Sequence, residues 1–535
     1  MHDSSASAKD SSIDEKRSVD QSATVTKPVK SGDDGDHPLE SAEALGVNEK
    51  KLLRKMDFCI IPWLALLYLL NFLDRATIGN ARLYGLETDL HITDRQYLIA
   101  LTCFFFPYAL FEPPSNIMLK KLKPSRWLSF LILCWGIVLV MHGVVKDYGG
   151  LVTVRVLLGL FEAGLYPGIA FYLSCWYKRS ELGTRVAFFF TSATVAGAFG
   201  GLLAAAIANM DGIGGKRGWE WIFIIEGLLT VVVGIISPWM VHDFPDTARF
   251  LNERERQFVI ERLQADQQFS AGGEKFQMKC IKQCLKDVKT YLAMGIYMGF
   301  DGPLFAFSLF LPTIINQVRI GIRYLQRARR LMLRTGYTST IANLLSVPVY
   351  AWGCLVTIFV GFFGDRIGER AYLNMALFAG GMIGYIILIA SRNPALSYFA
   401  CFLGASGIYP LIPNSVAWVS ANTEGSYKRS AVLGMAIGWG NLNGAVSSNV
   451  YRTEDRPWYS LGHGIVLAYI VIGLFSSWIL RIVLKAENAR RERGERDEVI
   501  GGPEINAEKG VRVYESVEAA KIDRGDFWSG FRYTL

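Results

Sequence analysis

The feature that most constrains this chain is its alternation of long apolar runs with short polar punctuation. Such runs lie near 57–80, 95–118, 127–146, 150–174, 186–209, 219–241, 290–316, 341–364, 371–391, 396–420, 431–450 and 462–484. Each approaches the roughly 20 residues that carry an α-helix across a bilayer. Only helices and closed barrels satisfy their own backbone groups in lipid, and runs of this length are helical. The expected fold is therefore an all-α membrane protein of twelve transmembrane helices in two six-helix, pseudo-symmetric halves. Composition agrees. Of 535 residues, 51% are hydrophobic and 19% charged, against about 25% charged in a soluble domain.

The longest polar interval between runs, 242–289, separates six from six. The expected organisation is a disordered polar tail (1–50), an N-terminal half (51–241), a linker (242–289), a C-terminal half (290–485) and a second tail (486–535). No secretory signal is expected before the first span. If both termini are cytoplasmic, the flanks on that side carry 20 Lys and Arg before the linker is counted, among them Lys120, Lys121, Lys178, Arg366 and Lys428. The opposite loops carry eight once one segment is set aside, and this bias fits the positive-inside rule. The net charge of +8 is then a record of topology, and no nucleic-acid partner is expected.

Two six-helix halves around a linker suggest a transporter whose site lies between them, near mid-membrane. No phosphate-binding glycine loop and no metal-ligand or catalytic cluster is evident. "GIGGKRG" (212–218) lacks the spacing of an ATPase loop. The reading is a non-enzyme without cofactor or metal, driven by a gradient.

Ionisable groups at mid-membrane cost roughly 2.5–3.5 kcal/mol each on insertion scales and so need a reason. In the first span Asn71, Asp74 and Arg75 occupy adjoining parts of one face. Asp74 and Arg75 form a structural ion pair with each other or with a neighbouring helix, or Arg75 meets a substrate carboxylate and Asp74 carries a proton. In the fourth span Arg155, Gly159, Glu162 and Tyr166 fall on one stripe. Arg155 can hold an anion or neutralise Glu162, and Glu162 can take the coupling proton. A fixed salt bridge between helices is the alternative. Glu112 and Glu226 are weaker proton sites or simple hydrogen-bond acceptors.

Pro167-Gly168 and Asp301-Gly302-Pro303 are expected to bend or break the fourth and seventh spans, and Tyr409-Pro410 and Pro413-Asn414 the tenth. Tyr409 is a candidate substrate contact. In the eleventh span Trp439, Asn443 and Ser447 could share a stripe that stacks on and hydrogen-bonds a planar anion, or simply pack. Ala193, Gly197, Gly201 and Ala205 read as a helix-packing face. After the eighth span, "GFFGDRIGER" places Gly361, Asp365, Arg366, Gly368 and Arg370 in a tight turn whose charges can latch helix ends.

That loop fits the G-x-x-x-D-R-x-G-x-R pattern of the major facilitator superfamily. Together with "YLLNFLDRATIGNARLYGL" (68–86), "FEPPSNIMLKKLKPSRW" (111–127), "RVLLGLFEAGLYPG" (155–168), "FSLFLPTII" (307–315) and "GWGNLNGAVSSNVY" (438–451), it resembles the fungal anion:cation symporter group, which includes allantoate and nicotinate permeases. The chain departs from that pattern at Thr77, Glu220 and Asn443. The resemblance implies proton-coupled uptake of a small organic anion across the plasma membrane by a monomer. A facilitator without coupling and a non-transporting nutrient sensor are the competing readings.

One segment fits none of this. Val318 to Arg334 carries six Arg and no acid, on the side where basic residues are scarce. It reads as a basic amphipathic helix on the membrane surface, as a regulatory loop, or as a retained intron. Relatives run almost directly from "FLPTII" to a "GYT"-like start. Val318 needs a codon beginning GT, and Thr335-Gly336 can encode the AG of an acceptor site.

Overall fold

The computed structural model describes residues 46–266, 268, 278–320, 338–451, 459–500 and 513–535. Residues 321–337, most of the basic insert, lie outside the described residues. Eleven helices among those described are long and apolar enough to cross a membrane. The twelfth is Ser426–Ser447, 22 residues long, made more polar by Lys428, Arg429, Asn441 and Asn443. The twelve-helix architecture is the expected one, and the described sheet is two two-residue strands near the C-terminus, Val499–Ile500 and Val513–Tyr514.

Two spans are broken in corresponding places. The fourth is Tyr148–Glu162 followed by Leu165–Ser174, and the tenth is Pro394–Ile408 followed by Leu411–Ala421. Pro167 and Pro413 explain both breaks. A proline cannot bond the carbonyl four residues back and its ring collides there, and those carbonyls belong to Ala163 and Tyr409, at the gaps. The seventh span departs from expectation. Val288–Ile320 runs unbroken through Asp301-Gly302-Pro303, because the helix is clamped along its length. Gly299 packs backbone-to-backbone on Gly473 of the twelfth span, and Ser447 donates to the Gly302 carbonyl at 2.8 Å.

Within each half, helices approach through glycines. A Cβ on Gly227 would lie 2.7 Å from the Val140 backbone nitrogen, and one on Gly407 would collide with Gly381. Between halves, the second span lies on the eleventh and the fifth on the eighth. Gly434 admits Pro113, with 2.9 Å between an added Cβ and the Pro113 Cα, and Asn116 Nδ2 donates to the Ser430 carbonyl at 2.6 Å. The fifth span's small-residue face serves the other seam. Ala193 is buried and Gly197 faces Tyr350, but the face ends before Ala205, which is exposed.

The linker is itself helical over Glu253–Ala265 and Met278–Lys286. Arg262 anchors the first helix, with Nη2 2.8 Å from Glu181 and Nη1 3.2 Å from Glu49. Cys284, on the second, is buried, and burial pushes its thiol up to about 11. The C-terminal segment is docked on the same face. Trp418 and Asn422 donate to the Thr534 carbonyl, Arg491 to that of Phe531, and the Arg370 backbone N–H to that of Leu535.

Candidate functional site

The first span places Asp74 and Arg75 about 100° apart around its axis, and the two part company. Asp74 turns into the first half, where its Oδ2 accepts from Trp135 Nε1 at 2.7 Å and Thr230 Oγ1 at 3.0 Å. They do not pair. Arg75 turns toward the centre and donates from Nη2 and Nε to Glu162 Oε1, at 2.7 and 3.1 Å. Its guanidinium lies over three rings, with centroids 4.9 Å (Tyr108), 5.4 Å (Phe305) and 5.6 Å (Phe104) away. Phe305 comes from the opposite half, so this cage spans the seam. Cation–π contact of this kind suits a guanidinium held out of water.

The fourth-span stripe is buried throughout. Arg155, Gly159, Glu162 and Tyr166 face inward, and Gly159 lets the Phe104 backbone approach. The direct partner of Glu162 is Arg75, however, and not Arg155. Arg155 is 2% exposed, and its Nε and Nη2 have no hydrogen-bond partner. A buried arginine short of acceptors is costly. Other unsatisfied atoms share the region: both amide atoms of Asn71, Glu112 Oε2, Glu162 Oε2, and the Tyr166 and Tyr297 hydroxyls.

Glu112 is fully buried one turn beyond Tyr108, and its Oε1 accepts from Asn441 Nδ2 of the eleventh span at 2.7 Å. Asp301 of the seventh span lies against Gly440. Thr77 Oγ1 lies within hydrogen-bond reach of Glu226 and of the Leu73 carbonyl, with one proton to share between them. Among the described residues, the membrane interior thus holds five carboxylates (Asp74, Glu112, Glu162, Glu226, Asp301) against two arginines, Arg75 and Arg155.

Three expected contacts turn out differently. Trp439 is 43% exposed and belongs to an outward apolar stripe with Met435, Leu442 and Val446. Successive steps of four drift by about 40°, so the expected stripe with Asn443 and Ser447 crosses from one side of the helix to another. Asn443 is buried, but its Nδ2 is spent on its own helix, donating to the Trp439 carbonyl at 2.7 Å. Tyr409 sits at the tenth-span break, buried between Phe307 and Tyr350, and no contact with Arg75 or Arg155 is among those of the described residues. Sequence reasoning missed the ring cage and Tyr68, which stacks on Tyr166 at 5.4 Å. The signal was present as Phe104, Tyr108 and Glu112 at steps of four.

The halves are latched on the linker face. Asp365 accepts from the backbone N–H groups of Gly183 (3.0 Å) and Thr184 (2.6 Å), at the first turn of the fifth span, Leu182–Ala208. A carboxylate there caps orphan donors and meets the positive end of the helix dipole. Arg370 braces it, at 2.5 Å, and donates to the Arg179 carbonyl. Gly361 admits Ala187, and Gly368 makes the turn at φ +76°. Arg366 is exposed and takes no part.

The sequence profile described as Major Facilitator Superfamily matches residues 64–448. An uncharacterized transporter of Schizosaccharomyces pombe is 33% identical over 499 residues, covering 93% of this chain and 97% of that protein. A high-affinity nicotinic acid transporter of Saccharomyces cerevisiae is 32% identical over 444 residues, covering 83% and 79%. Among solved structures, the proton:xylose symporter XylE aligns with a TM-score of 0.56 at 15% identity, over 80% of this chain and 95% of that one. That likeness speaks to fold alone.

Proposed function

The chain belongs to the major facilitator superfamily, and on that premise we propose that it is a proton-coupled importer of a small organic anion. It works by alternating access in the plasma membrane, with both termini cytoplasmic. The observation that carries this reading is the Arg75–Glu162 pair beside an under-satisfied Arg155 in the membrane interior. Arg155 receives the substrate carboxylate. Protonation of Glu162 dissolves its ion pair and frees Arg75 to become the second arm of a clamp. Anion and proton then load together, because each removes what the other would leave unpaired. Five carboxylates against two arginines give the interior further room for protons, with Asp74 and Glu112 as additional carriers. Asn71 supplies a neutral donor next to the pair.

The substrate class follows from the resemblance and from the nicotinic acid transporter relative. The test is uptake of labelled nicotinate, allantoate, pantothenate and small dicarboxylates by cells expressing the protein, with and without a protonophore. One carboxylate should accumulate and lose its accumulation when the proton gradient collapses. Uptake indifferent to the protonophore would identify a facilitator. Failure to move any carboxylate would favour the sensor.

A further inference from the structure

Two adjoining cavities of about 420 and 630 Å³ open on the linker face, among the linker helix Met278–Lys286, the start of the seventh span, the end of the twelfth and the C-terminal segment. The smaller is lined by Lys279, Lys282 and Lys286 with Gln283 and Phe527, and by no acid. The larger adds Lys289, Arg496 and Arg524, together with the acids Asp287, Glu487 and Asp523. Most of these cations are spoken for. Lys279 pairs with Asp523, Lys289 with Asp526, Arg496 with Glu487 and Arg524 with Glu498. Lys282 and Lys286 are different. Both are exposed, they lie four apart on one helical face, and neither makes an ion pair with a described residue. Two adjacent ammonium groups at the mouth of an acid-free cavity are a receptor for phosphate-bearing anions.

The surroundings say where such an anion would come from. Val288, two residues past Lys286, is 60% exposed, and Tyr291 is 53% exposed. The Tyr291 hydroxyl donates to the Leu285 carbonyl at 2.7 Å, the posture of an aromatic side chain at the membrane–water boundary. On the twelfth span Ile479 and Ile482 are also exposed, and Val483 lines the larger cavity. An outward apolar lane between two membrane helices thus ends at the lysines, at headgroup depth.

We propose that this is a binding site for an anionic phospholipid of the same leaflet. Its phosphorylated headgroup sits between Lys282 and Lys286, and its acyl chains lie along Val288, Tyr291, Ile479 and Ile482. The face is the one assigned above to the cytoplasm, where anionic lipids concentrate. Because Arg524 and Phe527 wall the cavities, a bound lipid also holds the C-terminal segment in its dock.

The test uses full-length protein in detergent, titrated with a fluorescent phosphatidylinositol phosphate, with phosphatidylcholine as the neutral comparison and free inositol phosphate as competitor. The phosphoinositide should bind in preference to phosphatidylcholine. Each lysine near the headgroup contributes roughly fivefold in affinity, so Lys282→Gln/Lys286→Gln should weaken binding roughly thirtyfold. Lys50→Gln, an exposed lysine elsewhere on that face, should leave it unchanged. Equal binding of phosphatidylcholine, or wild-type affinity in the double variant, would overturn the site. Free inositol phosphate competing as well as the intact lipid would overturn the apolar lane. Binding is read without transport, so the result is independent of the substrate assignment.

Discussion

At the scale of single residues, what matters is which charges lack partners. Arg155 is buried with two guanidinium nitrogens unsatisfied, a cost that the proposed anion would offset. Stability and function should therefore oppose each other there. Arg155→Met removes an under-paired buried charge, whose desolvation penalty is on the order of several kcal/mol, and puts an apolar side chain of similar length in its place. The variant should unfold at higher temperature than wild type, yet lose uptake about tenfold or more, the value of a charged hydrogen bond. A variant that melts lower and still transports would show a merely structural arginine. Glu162→Gln makes a different prediction. It mimics the protonated state permanently, so exchange of labelled for unlabelled substrate should persist while gradient-driven accumulation disappears. One coupled proton is worth roughly tenfold accumulation per pH unit of gradient, and that dependence is what the variant should lack.

At the scale of elements, the spans and their prolines were legible in the sequence, because hydropathy and the loss of an N–H are local properties. The breaks at Ala163-Gly164 and Tyr409-Pro410 lie one turn before Pro167 and Pro413, whereas Pro107, Pro113 and Pro114 leave the second span unbroken. Pairings across the bundle were not legible. Arg75 and Glu162 are 87 residues apart, and periodicity says which residues share a face without saying what that face meets. Trp439 shows the same limit, since a helix with polar groups on several sides does not declare which side faces lipid. A local breaker can also be overruled by packing. The seventh span keeps its helix through Pro303 because Gly299 and Gly473 hold it against the twelfth. The latch at Asp365 is an element-level device, a carboxylate of one half capping a helix of the other. Asp365→Asn removes its charge and one acceptor, worth about 1–2 kcal/mol at a helix N-terminus. The linker face should then open more often, by roughly five- to thirtyfold in population. Spin labels at exposed Lys123 and Glu369, one in each half, would report this as a growing long-distance fraction in pulsed dipolar spectra. An unchanged distribution would remove the latch from the gating mechanism.

At the scale of the whole molecule, the proposed alternating-access cycle requires the two halves to separate on the linker face, and the C-terminal segment lies across that seam. It is tied to the second half through Asp526, which contacts Lys289 at 2.5 Å and Lys428 at 2.8 Å. It reaches the first through Arg179, whose Nη1 donates to the Arg532 carbonyl at 3.2 Å and whose guanidinium lies 4.4 Å from the Phe531 ring centroid. Asp526 is the keystone. Burial alone would raise its pKa, but Lys289 and Lys428 outweigh that and hold it well below the usual carboxylate range. A depressed folded-state pKa contributes stability that is complete above the unfolded value, near 4, and is lost as pH falls toward the folded one. Docking should thus be constant from about pH 8 to about pH 5 and weaken only in stronger acid. Removing the carboxylate leaves Lys428, which is 3% exposed, with Asp287 at 2.9 Å and the Phe527 ring at 4.1 Å. Asp526→Ala should cost about 3–5 kcal/mol, as expected for breaking a buried pair by one partner, read as a lower melting temperature of the purified protein. It should also abolish the acid-range slope. Adding Lys428→Met removes the stranded charge and should recover more than half of the loss. If the double variant melts no higher than the single one, the C-terminal dock is held by its backbone contacts to Trp418, Asn422 and Arg491, and not by this buried charge.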